Sequence, residues 1–318
     1  MKTCMNCHIV FDAEVWGCPR CGFVTPSLNG YRYMVDQPHN ETETFNPEIF
    51  EAYAAIDSSH FWFTARNALI VDLLTRHFPA AKSMLDIGCG TGSVLQAIRQ
   101  SCPAMNLFAA DLSPVGLGHV KRKNLNATLL CMNAMQIPFA SHFDVIGAFD
   151  VIEHIVDDCQ VLEEMYRALV PGGGILLTVP QHPWLWSKPD EYAGHVRRYT
   201  RRNLLDKVRH AGFHIERVTS FVSLLLPLMA ASRLKQRLRA AKKEQVDEGF
   251  TQLPCWLNRA FERIMAFERN LIRKGWNLPI GGSLIVVASK PATAATGRGS
   301  LSFNTGRGMS DADCSKRA

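Results

Sequence analysis

Three glycines at alternate positions follow an acidic residue in the segment LDIGCGTG, residues 85–92. The acid is Asp86, and the glycines are Gly88, Gly90 and Gly92. A glycine-rich turn between a strand and a helix lets a ligand come close to the bare backbone. The dinucleotide fingerprint places two residues, not one, before its third glycine, and a phosphate-binding loop needs a Gly-Lys-Ser/Thr that this segment lacks. The pattern therefore disfavours both ligands.

Two carboxylates beside this loop indicate what it binds instead. Asp86 is a poor neighbour for an anionic pyrophosphate and a good one for an ammonium group. Asp111 ends the next predicted strand, 25 residues further on, where a carboxylate can accept both hydroxyls of a ribose. A ligand with an amino group, a ribose and no phosphate satisfies both acids, and S-adenosylmethionine is such a ligand.

Four cysteines near the N-terminus have the number and spacing of a metal site. Two C-x-x-C pairs lie ten residues apart, which is the ligand pattern of a tetrahedral zinc ribbon. Pro19 and Gly22 suit the tight turn of such a knuckle, and so short a unit cannot hold a core without the metal. A redox role would need two independent dithiols and is disfavoured. The predicted structural zinc ligands are Cys4, Cys7, Cys18 and Cys21.

Apolar runs alternate with helix-like segments from Lys82 onward, which predicts a mostly parallel α/β sheet with crossover helices. The seven predicted strands are KSMLDIGC, NLFAADLS, ATLLCMNA, FDVIGAFD, GILLTVP, HIERVTSF and SLIVVASK. The predicted domains are a zinc ribbon (1–26), a helical N-terminal cap (27–81), a catalytic domain (82–291) with a helical insertion (222–282), and a disordered tail (292–318).

At this point the chain resembles the class I S-adenosylmethionine-dependent methyltransferases. LDIGCGTG is similar to the first motif of this family, and ADLSP, residues 110–114, is similar to the second. CMNAMQIPF, residues 131–139, resembles the segment whose acid meets the adenine amino group, although Asn133 replaces that acid. An amide carbonyl can still accept from the adenine amino group. FDVIGAFDVIEHI and ALVPGGGILLTVP resemble the motifs of the fourth and fifth strands.

The resemblance implies a Rossmann-like, doubly wound sheet of seven strands and a defined set of cofactor contacts. HFWFTARN, residues 60–67, resembles a helix that covers the cofactor in a narrower subgroup, although the same aromatic residues could simply pack in the core. The implied cofactor-binding residues are Asp86, Gly88, Gly90, Gly92, Asp111, Leu112, Asn133, Ala134, Phe149, Arg66 and Trp62.

The resemblance also implies an acceptor site near the fifth strand. DEYAGHVRRYT, residues 190–200, resembles a segment that follows this strand in the same subgroup, and its alternative role is a basic helix cap. Methyl transfer is a one-step displacement, so the protein must align the acceptor and, for a hydroxyl, remove its proton. The candidate bases are His195, our first choice, His154 and Tyr199, and the candidate substrate contacts are His60, Arg197 and Arg198.

The predicted insertion contains a basic amphipathic segment, residues 221–243, next to the apolar run FVSLLLPLMAA. Such a segment can lie on an anionic membrane surface or pack on the core as a lid, and the sequence leaves both open. The net charge is +6 and no run approaches the length of a membrane span. We expect a cytoplasmic enzyme, peripheral to the inner membrane face, that methylates a small or lipid-linked molecule.

Two other functions remain open from the sequence. An RNA methyltransferase could use the ribbon to bind its substrate, but Lys2 and Arg20 are its only basic residues and the segment after the fourth strand is DVIEH, so contact with nucleic acid is disfavoured. A non-catalytic scaffold could bind the cofactor for structure alone. Only the scaffold predicts cofactor binding without turnover of any acceptor.

Overall fold

The computed structural model describes residues 1–12, 16–35, 47–241 and 253–292. Its strands are β1 (Lys2–Thr3), β2 (Val10–Phe11), β3 (Ser27–Leu28), β4 (Tyr31–Met34), β5 (Ser83–Ile87), β6 (Asn106–Asp111), β7 (Ala127–Met132), β8 (Phe143–Phe149), β9 (Leu169–Pro180), β10 (His214–Phe221) and β11 (Ser283–Ser289). Its helices are α1 (Pro47–Ile56), α2 (Phe61–His77), α3 (Ser93–Ser101), α4 (Pro114–Arg122), α5 (Asp158–Ala168), α6 (Lys188–Tyr192), α7 (Arg201–His210), α8 (Leu226–Ala241) and α9 (Cys255–Arg273).

A single large sheet runs in the order β10-β11-β9-β8-β5-β6-β7-β4-β3. Strands β5 to β9 pair in parallel, whereas β11 is antiparallel to both β9 and β10. The strand order therefore reverses at β5, which has β6 on one side and β8 on the other. In doubly wound sheets a ligand binds at the carboxyl edge of such a switch point, and the glycine loop follows β5 there.

The seven predicted strands are all present as β5 to β11, but the sheet has nine strands because β3 and β4 extend it. β4 pairs in parallel with β7, from Arg32 opposite Leu130 to Met34 opposite Met132. The predicted helical cap over 27–81 is therefore wrong for residues 27–34, where β3 and β4 form strands and Tyr31 and Met34 of β4 are buried. Helices α1 and α2 fill the later part of that segment.

The predicted helical insertion contains α8 and α9, and α9 packs against α2. The Phe61 and Phe261 rings lie 5.1 Å apart, Arg269 Nε lies 2.7 Å from Asp72 Oδ2, and Asn258 Oδ1 accepts a hydrogen bond from the Phe61 backbone at 2.9 Å. These contacts hold the insertion against α2, which is the position expected for a lid. No helix among the described residues is long and apolar enough to cross a membrane.

The N-terminal residues 1–26 pack directly on the segment that follows β7. The Thr3 backbone donates to Pro138 O at 3.0 Å, and the Trp16 and Phe139 rings meet edge to face at 5.8 Å. Met5 and Trp16 also pack against the main hydrophobic core. The ribbon is thus fastened to the catalytic domain. The predicted tail, apart from Ala292, lies outside the described residues.

Candidate active site

A large cleft opens at the carboxyl edge of the sheet beside the switch point. Its volume is about 1280 Å³, which exceeds the roughly 300–1000 Å³ of a pocket for one small ligand. The cleft reaches from the glycine loop after β5 to α8 and α9, so it has room for a cofactor and an acceptor side by side. Most of the predicted site residues line it, and they come from widely separated parts of the chain.

The glycine loop has the backbone conformation that its residue types allow. Gly88 has φ +63°, and a Cβ there would lie 2.6 Å from Val151 Cγ2. Gly90 has φ +52°, and a Cβ there would meet no atom within 4 Å, so this position faces the open cleft. Both glycines line the cleft, whereas Gly92 lies behind it at the start of α3. Gly90 is therefore the point at which a ligand can approach the backbone most closely.

Two acids stand beside this loop, as the sequence predicts. Burial raises the pKa of Asp86 to about 8, and Asp111 adds to the shift, although the charge of Arg66 opposes it. Asp111 accepts hydrogen bonds of 2.9 Å from the backbones of both Gly90 and Ser113, and burial nevertheless raises its pKa. A ligand ammonium would favour ionised Asp86, and Asp111 retains lone pairs for hydroxyl donors.

The residues predicted to bind the adenine lie after β6 and β7 and at the end of β8. Leu112, Ala134 and Phe149 line the cleft with Asn133 and supply apolar surface for a flat ring. Asn133 Oδ1 accepts a 2.9 Å hydrogen bond from the Met135 backbone. The amide that replaces the family's acid therefore also fixes the local turn, and its oxygen can accept only one further hydrogen bond.

Arg66 reaches into the cleft from α2, where Trp62 stacks on its guanidinium at 4.5 Å. Its Nη1 lies 2.6 Å from Asp150 Oδ2, which also accepts from Thr178 Oγ1 at 3.1 Å. Sequence reasoning missed Asp150, which follows β8 with φ +58° and lines the cleft. The sequence feature that could have indicated Asp150 is an acidic residue directly after a strand of the parallel sheet. His60 lies at the start of this helix, buried on the cleft wall, and its Nδ1 accepts from the Trp62 backbone.

His195 lies in the cleft with its ring held by an acid. Its Nδ1 lies 3.0 Å from Asp190 Oδ1, which also accepts a 2.7 Å hydrogen bond from Arg198 Nε. Burial opposes ionisation of Asp190, but the hydrogen bonds from His195 and Arg198 outweigh it and lower the pKa of Asp190 to about 2. An ionised Asp190 makes Nδ1 the protonated nitrogen, so His195 Nε2 carries the lone pair.

His154 packs edge to face on His195, with ring centroids 4.8 Å apart. Its Nδ1 is 3.2 Å from Gly194 O, and burial together with His195 lowers the pKa of His154 to about 4, so the ring is neutral at pH 7. The neighbouring Glu153 is fully buried, 3.9 Å from His195 Nε2, and burial followed by the charge of Asp150 raises its pKa well above the usual range. Burial therefore favours the protonated form of Glu153.

Besides Gly92, two further predicted site residues do not line the cleft. Tyr199 is buried, and its hydroxyl donates to Asp158 Oδ2 at 2.6 Å, while burial and Asp158 raise its pKa. Arg197 binds the same carboxylate at 2.8 Å and donates to Val156 O. The expectations that Tyr199 is a base and that Arg197 binds substrate are therefore corrected, because both side chains turn to Asp158 and not to the cleft.

The far half of the cleft is apolar and ends at the helical insertion. Its wall includes Leu225, Leu228, Met229, Leu253, Leu257 and Phe261. Arg233, which the sequence placed on the basic face of the insertion, also lines the cleft, and the Arg198 charge adds to burial in lowering its pKa. Arg198 and Arg233 thus both line the cleft beside this apolar wall, and Asp190 accepts a hydrogen bond from Arg198 there.

The four N-terminal cysteines converge as predicted. Their sulfur atoms all lie within 4.8 Å of one another, and the Cys4–Cys21 and Cys7–Cys18 pairs are each 3.6 Å apart. Zinc–sulfur bonds of about 2.3 Å in a tetrahedron place sulfurs about 3.8 Å apart. The residues therefore fit a zinc ion, which would join the two knuckles and replace an absent apolar core.

The cleft geometry agrees with comparisons to known proteins. Residues 60–218, half of the chain, match the family described as "Methyltransferase domain". The chain belongs to the class I S-adenosylmethionine-dependent methyltransferases. In fold it is similar to Haemonchus contortus phosphoethanolamine N-methyltransferase 2, solved with S-adenosyl-L-methionine, with a TM-score of 0.52 at 21% identity over 79% of this chain and 59% of that one. This likeness concerns the fold alone.

Curated relatives of this methyltransferase are similar over shorter segments. A protein of Mycolicibacterium smegmatis, whose name reads "Probable S-adenosylmethionine-dependent methyltransferase", is 27% identical over 49% of this chain and 61% of its own length. The Psychrobacter arcticus ubiquinone biosynthesis O-methyltransferase is 29% identical over 33% and 43%, and the Geobacillus demethylmenaquinone methyltransferase is 33% identical over 33% and 47%. The matches therefore span less than two thirds of these relatives.

Proposed function

We propose that this methyltransferase moves a methyl group from S-adenosylmethionine to a lipophilic, small or lipid-linked acceptor by direct displacement. One observation carries the proposal: the cofactor end of the cleft, with Asp86 and Asp111, is continuous with an apolar compartment. The compartment excludes water from the reacting atoms, and the cofactor's sulfonium needs no further activation.

The acceptor atom is proposed to be a hydroxyl oxygen, because a proton-accepting nitrogen faces the same space. The oxygen attacks the methyl carbon as the carbon–sulfur bond breaks, and S-adenosylhomocysteine leaves. His195 Nε2 takes the hydroxyl proton, while Asp190 holds Nδ1–H and stabilises the imidazolium that forms. His154 supports the His195 ring from the side.

An anionic group on the acceptor would explain the two guanidinium groups in the apolar compartment. Arg198 and Arg233 both line the cleft, and mutual repulsion helps to lower the pKa of Arg233. A carboxylate or phosphate would relieve that repulsion, since guanidinium groups bind both anions well. Relatives named for ubiquinone and menaquinone biosynthesis support a lipophilic acceptor of this kind.

The test is incubation of the purified protein with methyl-labelled S-adenosylmethionine and a cell extract separated into lipid, small-molecule and RNA fractions. We expect label in the lipid or small-molecule fraction and not in RNA. Label confined to RNA would overturn the proposed acceptor class and favour the RNA methyltransferase. Cofactor binding without label in any fraction would favour a scaffold.

We further propose that Cys4, Cys7, Cys18 and Cys21 hold one structural zinc ion. The convergence of four sulfurs in a unit without its own core supports this role. Elemental analysis should give one zinc per chain for the wild type and much less for Cys18→Ser. Full zinc content in Cys18→Ser would contradict the four-ligand site.

A further inference from the structure

The mouth of the cleft is formed by exposed apolar side chains. Three large hydrophobic residues line the cleft and are also open to solvent, namely Val156, Tyr192 and Leu228, with exposed fractions of 77%, 41% and 54%. A hydrophobic side chain usually turns inward at such a position, and a contiguous exposed apolar patch marks an interaction surface.

The apolar surface continues onto the insertion. Leu224, Pro227, Leu228 and Ala231 are exposed at spacings of three and four residues, which places them on one face at the start of α8. Trp256, 72% exposed, begins α9 next to Leu257, which lines the cleft. We use the name apolar rim for Val156, Tyr192, Leu224, Leu228, Leu234 and Trp256.

The charge of α8 indicates the partner of this rim. Besides Arg233, which lines the cleft, the helix sequence LPLMAASRLKQRLRAA contains Lys235, Arg237 and Arg239 and no acidic residue. A surface that combines apolar side chains, a tryptophan and a net positive charge is complementary to the interface of an anionic bilayer. A surface that binds another protein does not require apolar side chains, a tryptophan and positive charge together, so their combination favours a membrane as the partner.

We propose that the apolar rim and α8 dock this protein on an anionic membrane surface, so that a lipid-anchored acceptor enters the cleft directly from the bilayer. The second half of this statement rests on the proposed function, whereas the docking does not. Docking is peripheral, since no described helix can span a membrane. The acceptor's tail would then never cross water on its way to the apolar compartment.

The experiment is co-sedimentation of the full chain, without cofactor, with vesicles of phosphatidylcholine alone or with roughly one third phosphatidylglycerol. We expect binding to the anionic vesicles only, and weaker binding at high salt because surface attraction is screened. Leu224→Ser/Leu234→Ser and Trp256→Ser should each weaken binding by about tenfold or more. None of these three residues lines the cleft, so binding of S-adenosylmethionine should stay unchanged.

Matched controls come from exposed residues of the same types elsewhere. Trp276→Ser lies beyond the other end of α9, and Leu28→Ser lies at the opposite edge of the sheet; their exposed fractions are 64% and 61%. Equal losses in the controls, or no binding of the wild type to anionic vesicles, would overturn the docking proposal. A wild-type dimer that the rim variants convert to monomers would assign the rim to a second copy instead and also overturn it.

The two proposals fail in different measurements. Intact vesicle binding without methyl transfer to any fraction would contradict the proposed function but would still support the docking surface. Methyl transfer without vesicle binding would sink the docking proposal and leave the enzyme's chemistry untouched.

Discussion

The carboxyl group of Asp86 sits at the end of β5 almost out of contact with water, beside a second acid and near Arg66. Burial destabilises its charged form, and an ammonium group from a ligand would offset that free-energy cost by ion pairing. At the residue scale, this poorly solvated carboxyl group would favour a cationic ligand. The ring of His195 is held by Asp190, which also accepts a hydrogen bond from Arg198.

The first prediction concerns the pH dependence of cofactor binding. Because the pKa of Asp86 is about 8 in the folded chain, binding of an ammonium group must displace its proton below that pH. We expect the affinity for S-adenosylmethionine to rise between pH 6 and about 7.5, by at most roughly tenfold per unit. Calorimetric titration should show a weaker and flatter profile for Asp86→Asn.

The same group has a defined effect on stability. Its folded pKa lies above its unfolded value of 3.8, so the folded state holds the proton between about pH 4 and pH 8. The contribution is fully present at low pH and is lost as the pH rises through 8. The melting temperature of the wild type should therefore fall more steeply than that of Asp86→Asn between about pH 5 and pH 8, and parallel curves over that range would contradict the raised pKa.

The second prediction concerns proton removal from the acceptor. His195→Ala should lower kcat by about 100-fold or more while cofactor affinity stays within about threefold. Asp190→Asn should also lower kcat, because the amide cannot stabilise the imidazolium. The control is His210→Ala, an exposed residue on α7. Normal turnover in His195→Ala, with only a lower melting temperature, would assign the segment to helix capping.

At the scale of elements, the sheet and its crossover helices position nearly every candidate side chain. The strand and helix periodicity from β5 onward predicts this part well, because each strand is short, apolar and bounded by turn residues. The pairing of β4 with β7 was not predictable from the sequence. The four residues YRYM are too short to distinguish a strand from a loop, and β4 forms a strand because it pairs with β7.

Side-chain direction in a single segment was also beyond the sequence. His195 and Arg198 face the cleft, whereas Arg197 and Tyr199 turn to Asp158, and the letters HVRRY do not show which residues turn inward. Asp150 was missed because its partner Arg66 lies 84 residues away. Local patterns therefore find the segments of this site, and only long-range packing selects the residues within them.

The third prediction concerns the ribbon as an element. Residues 1–26 hold Pro138 and Phe139, a few residues after the adenine-side Asn133 and Ala134. We expect that Cys18→Ser, or removal of zinc by a chelator, lowers the melting temperature and weakens S-adenosylmethionine binding by roughly three- to tenfold, because metal loss unfolds the ribbon. The control is Cys255→Ser, an exposed cysteine outside the cluster. Unchanged affinity after complete metal loss would show that the ribbon and the cleft are independent.

At the scale of the whole molecule, the glycine loop, the apolar compartment and the apolar rim follow one another from the centre of the sheet to the surface. The cofactor contacts lie at the inner end, His195 and Arg198 lie between, and Leu228 marks the mouth. A single cleft therefore connects the cofactor to the surface where a lipophilic acceptor would arrive. The proposed methyl transfer depends on the identity of the cofactor.

The most direct measurement is calorimetric titration of the full chain with S-adenosylmethionine, S-adenosylhomocysteine and NAD. The account predicts one site for each of the first two ligands and no competing site for NAD. Asp111→Ala should weaken binding by about 1–3 kcal/mol, since the ribose hydroxyls lose a charged acceptor, whereas the surface variant Asp206→Ala should bind normally. Preferential binding of NAD, or normal S-adenosylmethionine affinity in Asp111→Ala, would contradict the assignment of this cleft.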